Sequence, residues 1–152
     1  MIVNGQTQVT IRRVDWDTAF ADLRAVRKTV FIDEQRVPEE LEWDGIDERC
    51  LHVLAATAAG AAVGTGRLLP DGHIGRMAVL PHWRGRGIGG LLLAELIAAA
   101  QELKHHAVEL SAQTHAIGFY RRFDFEVVSG EYLEAGIPHR TMRLMLVRPP
   151  PG

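Results

Sequence analysis

Residues 74–93, IGRMAVLPHWRGRGIGGLLL, decide the fold of this chain. An apolar run at residues 74–80 leads into a glycine-rich turn with two arginines, and a second apolar run begins at Ile88. This order predicts a buried strand, a turn and a helix. A helix that begins in glycines presents unpaired backbone N–H groups and the positive end of its dipole, and no Cβ keeps a phosphate away. The stretch therefore predicts a site for the pyrophosphate of a nucleotide-bearing cofactor.

Two kinds of cofactor motif contain such glycines. Gly85, Gly87 and Gly90 satisfy G-x-G-x-x-G, the dinucleotide fingerprint, and Glu109 lies about 20 residues further on, where an acidic residue would hold a ribose hydroxyl. The fingerprint requires its first glycine at the end of the strand, however, and residues 80–84 intervene here. A dinucleotide-binding oxidoreductase is therefore the less favoured alternative.

The second motif is Arg84-x-x-Gly87-x-Gly89, which follows an apolar strand and Pro81. It resembles the acyl-CoA-binding motif of the GNAT superfamily of N-acetyltransferases. The resemblance implies acetyl-CoA or coenzyme A as the co-substrate, without a metal. The coenzyme-binding residues that it implies are Met77, Ala78, Val79, Arg84, Gly85, Arg86, Gly87, Ile88, Gly89, Gly90, Gln113, Phe119 and Tyr120.

A second GNAT-like motif lies at residues 113–125, QTHAIGFYRRFDF. It resembles N-x-x-A-x-x-F-Y-x-x-x-G-F, in which the tyrosine often protonates the leaving thiolate, and Tyr120 has that position. Gln113 replaces the usual asparagine and keeps an amide for the pantetheine arm, and Asp124 replaces a glycine in the turn, where Asp tolerates left-handed geometry better than most residues. Phe119 also matches the motif, although core packing is the simpler interpretation for it.

Segments elsewhere resemble one bacterial subgroup of the superfamily. They are VFIDEQRVP at 30–38, EWDGID at 42–47, His52, GIPH at 136–139 and Met142. These segments are similar to those of the small GNAT proteins of the ElaA/YjcF type. The subgroup does not identify the acceptor.

The alternation of apolar runs and turns predicts the order of the elements. Strands are expected near 8–14, 51–57, 62–69, 73–79, 107–113, 125–129 and 141–147, and helices to about 32, at 87–103 and at 115–122. Short turns make the strands from 51 to 79 an antiparallel meander, and the crossover helix makes strands 73–79 and 107–113 parallel. The resemblance implies an α/β (α+β) GNAT fold, with a mixed sheet of six to seven strands that splays between those two strands, and about four helices. Residues 1–148 are expected to form one domain, with 149–152 as a flexible tail.

Composition and charge indicate the cellular compartment of the protein and the partners that it is expected to lack. The chain has 152 residues and a formal net charge of −2, so no basic field predicts nucleic-acid binding. Cys50 is the only cysteine and cannot form an internal disulfide, which is typical of a reducing cytoplasm. The apolar run 88–100 contains Glu95 and is too short to span a bilayer. We therefore expect a cytoplasmic protein with no membrane partner, whose edge strands would allow a homodimer.

Acetyl transfer to an amine requires a neutral nucleophile, and a lysine-like amine has a pKa of about 10.4. Glu34, His73 and His139 are the candidate bases, with a water chain as an equal alternative. The acidic stretch at 39–48 carries six carboxylates. It is either a solvated face or a border of the acceptor cleft, where it would draw in cationic amines.

The leading hypothesis is therefore an N-acetyltransferase that moves an acetyl group from acetyl-CoA to a primary amine of a small molecule or peptide. Attack would be direct, in a ternary complex. A non-catalytic acyl-CoA-binding or regulatory module is the alternative from another class.

Overall fold

A computed structural model of the chain describes residues 2–3 and 7–147. The strands are β1 (Ile2–Val3), β2 (Thr7–Val14), β3 (Leu51–Thr57), β4 (Ala62–Leu68), β5 (His73–Val79), β6 (Ala107–Gln113), β7 (Glu126–Val127), β8 (Tyr132–Glu134) and β9 (Ile137–Met145). The helices are α1 (Trp16–Arg27), which continues as a π-helix (Lys28–Glu34), α2 (Glu39–Glu42), α3 (Ile88–Glu102) and α4 (Ile117–Arg121). The expected tail at 149–152 and the expected domain end at 148 lie outside the described residues.

One mixed sheet contains all of these strands. Their order is β1-β2-β3-β4-β5-β6-β9-β7, and β8 pairs with β9. Every pair is antiparallel except β5–β6, which is parallel. The structure therefore confirms the predicted meander and the crossover through α3. The sheet has nine strands instead of six to seven, because β1 and β8 are too short for alternation to be visible in the sequence.

The last strand begins earlier than the sequence suggests. Ala135 and Gly136 have φ of 51° and 76° and form the turn by themselves. Ile137 and Pro138 already belong to β9, where they pair with β8. The last strand therefore begins at Ile137 and not near residue 141, because two left-handed residues suffice to reverse the chain.

The sheet splays between β5 and β6, as predicted. Only His73 with Glu109 and Ile74 with Leu110 are paired across these strands. On the other side of β5, Thr65 faces Ala78 and Arg67 faces Gly75, so β5 carries one extra residue in a β-bulge. A bulge bends its strand and ends regular pairing, and it lies where β5 leaves β6.

Helices cover the two faces of the meander. Leu92 and Leu96 of α3 are fully buried against one face, and Gly66 of β4 allows this close approach, since a Cβ there would lie 2.8 Å from Leu96 Cδ1. On the opposite face, Leu23 of α1 packs on Leu54. The gap between β5 and β6 therefore opens beside both helices. In the described part of the chain, no helix is both long and apolar enough to cross a bilayer.

Candidate functional site

The amino end of α3 lies at the end of the glycine-rich turn. Gly87 is the N-cap with φ of 83°, and Gly85 has φ of 75°. A Cβ at either position would meet nothing within 4 Å, so backbone conformation, and not crowding, favours glycine there. The first N–H groups of the helix, at Ile88, Gly89 and Gly90, have no acceptor inside the helix. Such an end suits an anion.

The remaining glycines of the motif serve helix packing. A Cβ at Gly89 would lie 3.6 Å from Phe119 Cζ, and one at Gly90 would lie 3.3 Å from Phe123 Cζ. These rings belong to the segment that includes α4, so α3 and α4 approach closely through the two glycines. Phe119 also packs edge-on against Tyr120, with ring centroids 5.0 Å apart. Its contacts therefore support the packing interpretation.

Arg84 is engaged by the protein itself. Its Nε donates to the Val79 carbonyl at 2.9 Å, and its two Nη atoms donate to the Glu34 carboxylate at 2.7 and 2.6 Å. These hydrogen bonds hold the pKa of Glu34 below its ordinary value. A carboxylate that is charged and doubly hydrogen-bonded is a weak base, so the structure gives Glu34 an anchoring role. Arg86 stacks on the Trp83 ring at 4.7 Å.

Gln35, the residue after Glu34, contacts the other side of the gap. Gln113, at the end of β6, donates from Nε2 to Gln35 Oε1 at 2.9 Å. Glu34 and Gln35 therefore connect the end of β5, through Arg84, to the end of β6. No local pattern predicts these contacts, because they join residues 50 and 78 apart in the chain.

Tyr120 lies in α4, shortly after β6, in an aromatic cluster. Its ring packs edge-on against Phe119 and, at 6.0 Å, against Phe125. Burial raises the pKa of Tyr120 to about 12. Among residues 7–147, its hydroxyl has no hydrogen-bond partner, so this phenol keeps its proton at neutral pH and can donate it to a ligand.

The sheet face opposite α3 carries the polar side of β6. Val108, Leu110 and Ala112 pack in the core under α3, so Glu109, Ser111 and Gln113 point to the other face. The residues that pair with this side of β6 share that face. Both histidines predicted as candidate bases are among them.

His139 lies opposite Gln113 in the β6–β9 register and is 6% exposed. Its Nδ1 is 2.6 Å from the Ile137 carbonyl, so Nδ1 carries a proton and Nε2 is the nitrogen that takes up another. Nε2 lies 3.5 Å from Glu134 Oε2, and the ring stacks on Tyr132 at 6.1 Å. His139 is therefore oriented by three neighbours.

His73 lies opposite Glu109, at the closed end of the gap. Its Nδ1 is 3.0 Å from Asp71 Oδ1, and its Nε2 is 3.8 Å from Glu109 Oε1. Half of its side chain is exposed. The two candidate histidines thus occupy the two ends of β6.

The acidic stretch forms a buried ionic network that the sequence did not predict. The network comprises three arginines and three carboxylates: Arg27, Arg67, Arg76, Glu42, Asp44 and Asp47. Glu42 and Asp47 are only 2% and 4% exposed, so a solvated face does not hold for them, whereas Asp47 still lines a surface cavity beside Trp43. Arginines inside apolar runs, such as Arg67 within AVGTGRLL, were the available signal, because a buried arginine requires carboxylate partners.

Asp44 is held in its charged form by its arginine partners in the network. Burial alone raises the pKa of Asp44, but hydrogen bonds from Arg67 at 2.6 and 3.1 Å outweigh it and hold the pKa at about 2. His52 joins the network through Nε2, which lies 2.8 Å from the Asp47 carbonyl.

A cluster of hydroxyl groups on the polar face was also missed. Tyr132 Oη is 2.5 Å from Ser111 Oγ and 3.0 Å from Thr141 Oγ1. Tyr132 therefore reaches from β8 across β9 to the exposed side of β6. It stands alone in a polar segment of the sequence, so only the β8–β9 register reveals it.

A surface cavity of about 220 Å³ lies away from the gap, beside the first turns of α1. Trp16, Phe20 and Trp43 line it, and Arg24 stacks on Trp43 at 4.2 Å. Glycines of the turn and residues of the β5–β6 gap are not among its lining residues. Among residues 7–147, no three His, Cys, Asp or Glu side chains group as a metal site requires.

Comparisons with known proteins agree with this geometry. The sequence model of the acetyltransferase (GNAT) domain matches residues 19–146. YjcF of Bacillus subtilis, an uncharacterised N-acetyltransferase, is 37% identical over 77% of this chain and 86% of its own length. An acyl-CoA N-acyltransferase from Pseudomonas aeruginosa is 33% identical, with a TM-score of 0.76 over 91% of this chain and 99% of that one. ElaA of Escherichia coli is 27% identical, with a TM-score of 0.80 over 90% of this chain and 99% of that one.

A splayed mixed sheet with a glycine turn at its crossover helix defines an acyltransferase of the GNAT class. The chain belongs to the GNAT superfamily, within its ElaA/YjcF-like subgroup. Membership supports an N-acetyltransferase activity that uses an acyl-CoA co-substrate.

Proposed function

We propose that this protein transfers an acetyl group from acetyl-CoA to a primary amine of a small molecule or peptide, by direct attack in a ternary complex. One observation carries the proposal: the gap between β5 and β6 leads to the glycine turn at α3, and the helix that bears Tyr120 lies just beyond β6. The gap fits an extended arm, the turn fits a pyrophosphate, and the phenol fits a proton donor.

The backbone supplies the coenzyme site. From Gly75 onward, β5 has no β6 partner, so backbone groups of Met77–Val79 on that side, apart from the Val79 carbonyl that Arg84 occupies, suit the amide groups of a pantetheine arm. The first N–H groups of α3, at Ile88, Gly89 and Gly90, would bind the phosphates. Arg84 stiffens the turn, and the Gln113 amide lies at the far wall of the gap.

The chemistry then needs two proton transfers. The amine nitrogen attacks the thioester carbonyl carbon, a new C–N bond forms and the C–S bond breaks. Tyr120 gives its proton to the departing sulfur, and the raised pKa of its phenol keeps that proton on the oxygen at neutral pH until the transfer. A backbone N–H of β5 in the gap would stabilise the oxyanion between these steps.

His139 is the base that we favour for the proton of the attacking amine. Its Nδ1 is fixed by the Ile137 carbonyl, so Nε2 is ready to accept, and Glu134 stabilises the charged ring. His73 is the second candidate, since it lies on the same face at the closed end of the gap. Glu34 is a poor candidate because Arg84 occupies its carboxylate.

Three carboxylates of the acidic stretch are unavailable to a cationic acceptor. Glu42, Asp44 and Asp47 are paired with arginines and do not attract an amine. Any preference for cationic amines then rests on Glu39, Glu40 and Glu48, which stay exposed. We therefore assign the acceptor as a primary amine of a small molecule or peptide.

Replacing Tyr120 by Phe tests the proposal. Free-thiol release from acetyl-CoA with a panel of amines should show kcat lowered by about 10²-fold or more, while calorimetry shows coenzyme A affinity within about twofold of wild type. Tight coenzyme A binding by wild type without turnover of any amine would favour the non-catalytic module. Thermal stabilisation by NAD and not by coenzyme A would favour the oxidoreductase.

The base is tested by pH–rate profiles of His139→Gln and His73→Gln, with the exposed His106→Gln as the matched control. The variant that removes the base should lose the acidic limb of the kcat profile. Loss of that limb in His73→Gln alone would overturn the assignment to His139.

A further inference from the structure

We infer that Arg76 is a positioning residue: the acidic stretch 42–47 holds its side chain and so keeps open the bulge from which the gap between β5 and β6 starts. The inference rests on the proposed function, because it assigns the gap to the coenzyme arm. Neither the coenzyme motifs nor the proton transfers account for the acidic motif at 42–47.

The backbone at Arg76 is strained at the point where β5 separates from β6. Its φ is 50°, in the left-handed region that a residue with a side chain rarely occupies. It lies inside the bulge between the Thr65 and Arg67 pairings, two residues after Ile74, the last β5 residue paired with β6. Such a conformation persists only where the surroundings hold it.

The side chain of Arg76 is held by the acidic stretch. Its Nη2 donates to the carbonyls of Leu41 and Glu42 at 3.2 Å each, and to Asp44 Oδ2 at 3.2 Å. Its Nε forms an ion pair with Glu42 Oε2 at 3.1 Å, without a hydrogen bond. The Arg76 carbonyl accepts from Thr65 Oγ1 at 3.3 Å, so backbone and side chain are fixed on opposite sides.

The carboxylates that hold Arg76 are themselves fixed to the core. Arg27 of α1 binds Glu42 at 2.8 Å and Asp47 at 2.7 Å. Arg67 of β4, the strand next to β5, binds Asp44 at 2.6 Å and Asp47 at 2.8 Å. The acidic stretch is thus attached to α1 and β4, and Arg76 connects it to β5.

The side-chain contacts of Arg76 with the acidic stretch form a tether. Removing this tether should weaken binding of the pantetheine arm and leave binding of the phosphates unchanged. Without its side-chain contacts, residue 76 relaxes toward extended backbone, and β5 gains further pairing with β6. That pairing consumes the backbone groups of Met77–Val79 that the arm would use. The glycine turn at 84–90 lies beyond β5 and is held by Arg84, so its binding of phosphates remains.

Two substitutions separate the tether from the backbone. Arg76→Ala removes the side-chain contacts and still disfavours φ of 50°, whereas Arg76→Gly removes the contacts but permits that φ. Calorimetry is done with coenzyme A and with 3′-phospho-ADP, which carries the pyrophosphate but lacks the arm. We expect Arg76→Ala to weaken coenzyme A about tenfold or more and 3′-phospho-ADP less than twofold, with Arg76→Gly between wild type and Arg76→Ala. Arg13→Ala, at a surface ion pair, is the control and should bind both ligands as wild type does.

The ratio of the two affinities distinguishes positioning from general destabilisation. Equal weakening of both ligands, or unchanged coenzyme A affinity in Arg76→Ala, would overturn the inference. If wild type binds neither ligand, the proposed function fails, and amide hydrogen exchange of residues 75–79 in the free protein decides the inference alone. Slower exchange there in Arg76→Ala than in wild type would support it, and unchanged exchange would overturn it.

Discussion

Replacing Arg27 by Leu should destabilise the protein far more than replacing Arg13 by Leu. Each arginine contacts two carboxylates at 2.5–2.8 Å, but Arg27 is 1% exposed and Arg13 is 35% exposed. Removing one partner of a buried ion pair costs about 3–5 kcal/mol, because it leaves a charge unpaired away from water. An exposed pair contributes about 0.2–1 kcal/mol.

The arrangement around Arg27 places the expected loss near the lower end of that range. Glu42 keeps Arg76 Nε at 3.1 Å, and Asp47 keeps Arg67 Nη1 at 2.8 Å, so each carboxylate retains one arginine. We therefore expect a loss of about 3 kcal/mol in the free energy of unfolding, or about 6–12 °C in Tm for a chain of this length.

Urea unfolding followed by tryptophan emission measures both variants. Trp16 and Trp43 lie 5.4 and 5.1 Å from the Arg27 guanidinium, so their emission reports the region directly. The m value should stay constant, as expected for a change in stability alone. A loss below about 1 kcal/mol in Arg27→Leu, or equal losses in the two variants, would refute the claim that burial gives this network its strength.

Three further predictions concern the turn, the core and acid stability. Gly87→Glu should abolish coenzyme A binding in calorimetry, because φ of 83° strains the residue and its carboxylate would repel phosphates. Gly66→Ala should lose about 1 kcal/mol in urea unfolding, since its Cβ would lie 2.8 Å from Leu96 Cδ1 and 3.3 Å from Val53 Cγ2, both fully buried, whereas Gly75→Ala meets nothing within 4 Å. Asp44 has a folded pKa of about 2, below its unfolded value, so it stabilises the protein above about pH 4. As the pH falls from about 4 to 2, wild type should lose up to about 2 kcal/mol more than Asp44→Asn.

Each of these has an outcome that contradicts it. Unchanged coenzyme A affinity in Gly87→Glu would move the phosphates away from the turn. Equal stability of Gly66→Ala and Gly75→Ala would argue against close packing of α3 on β4. Parallel pH curves for wild type and Asp44→Asn would mean that Arg67 does not favour the charged carboxylate.

The elements around the gap were predicted well from the sequence, because their signals are local. Strands β3, β5 and β6 match their predicted ranges, since apolar runs end there at glycine, proline or a helix start. The amino end of α3 followed from its glycines. Strand β8 was missed because three residues show no period, and the pairing of Arg84 with Glu34 was missed because the two residues lie 50 apart in the chain. Burial of Glu42 and Asp47 was missed for the same reason, since their arginines come from α1 and the sheet.

The seam between β5 and β6, only two residue pairs long, divides the sheet into two leaves. One leaf holds β1–β5 and the other holds β6–β9, and the chain crosses between them through α3. A molecule that fills the gap, as proposed for the pantetheine arm, would hydrogen-bond to both leaves and replace the strand pairing missing there. It would then act as a clasp, adding a second connection between leaves that otherwise pair only at His73 and Ile74.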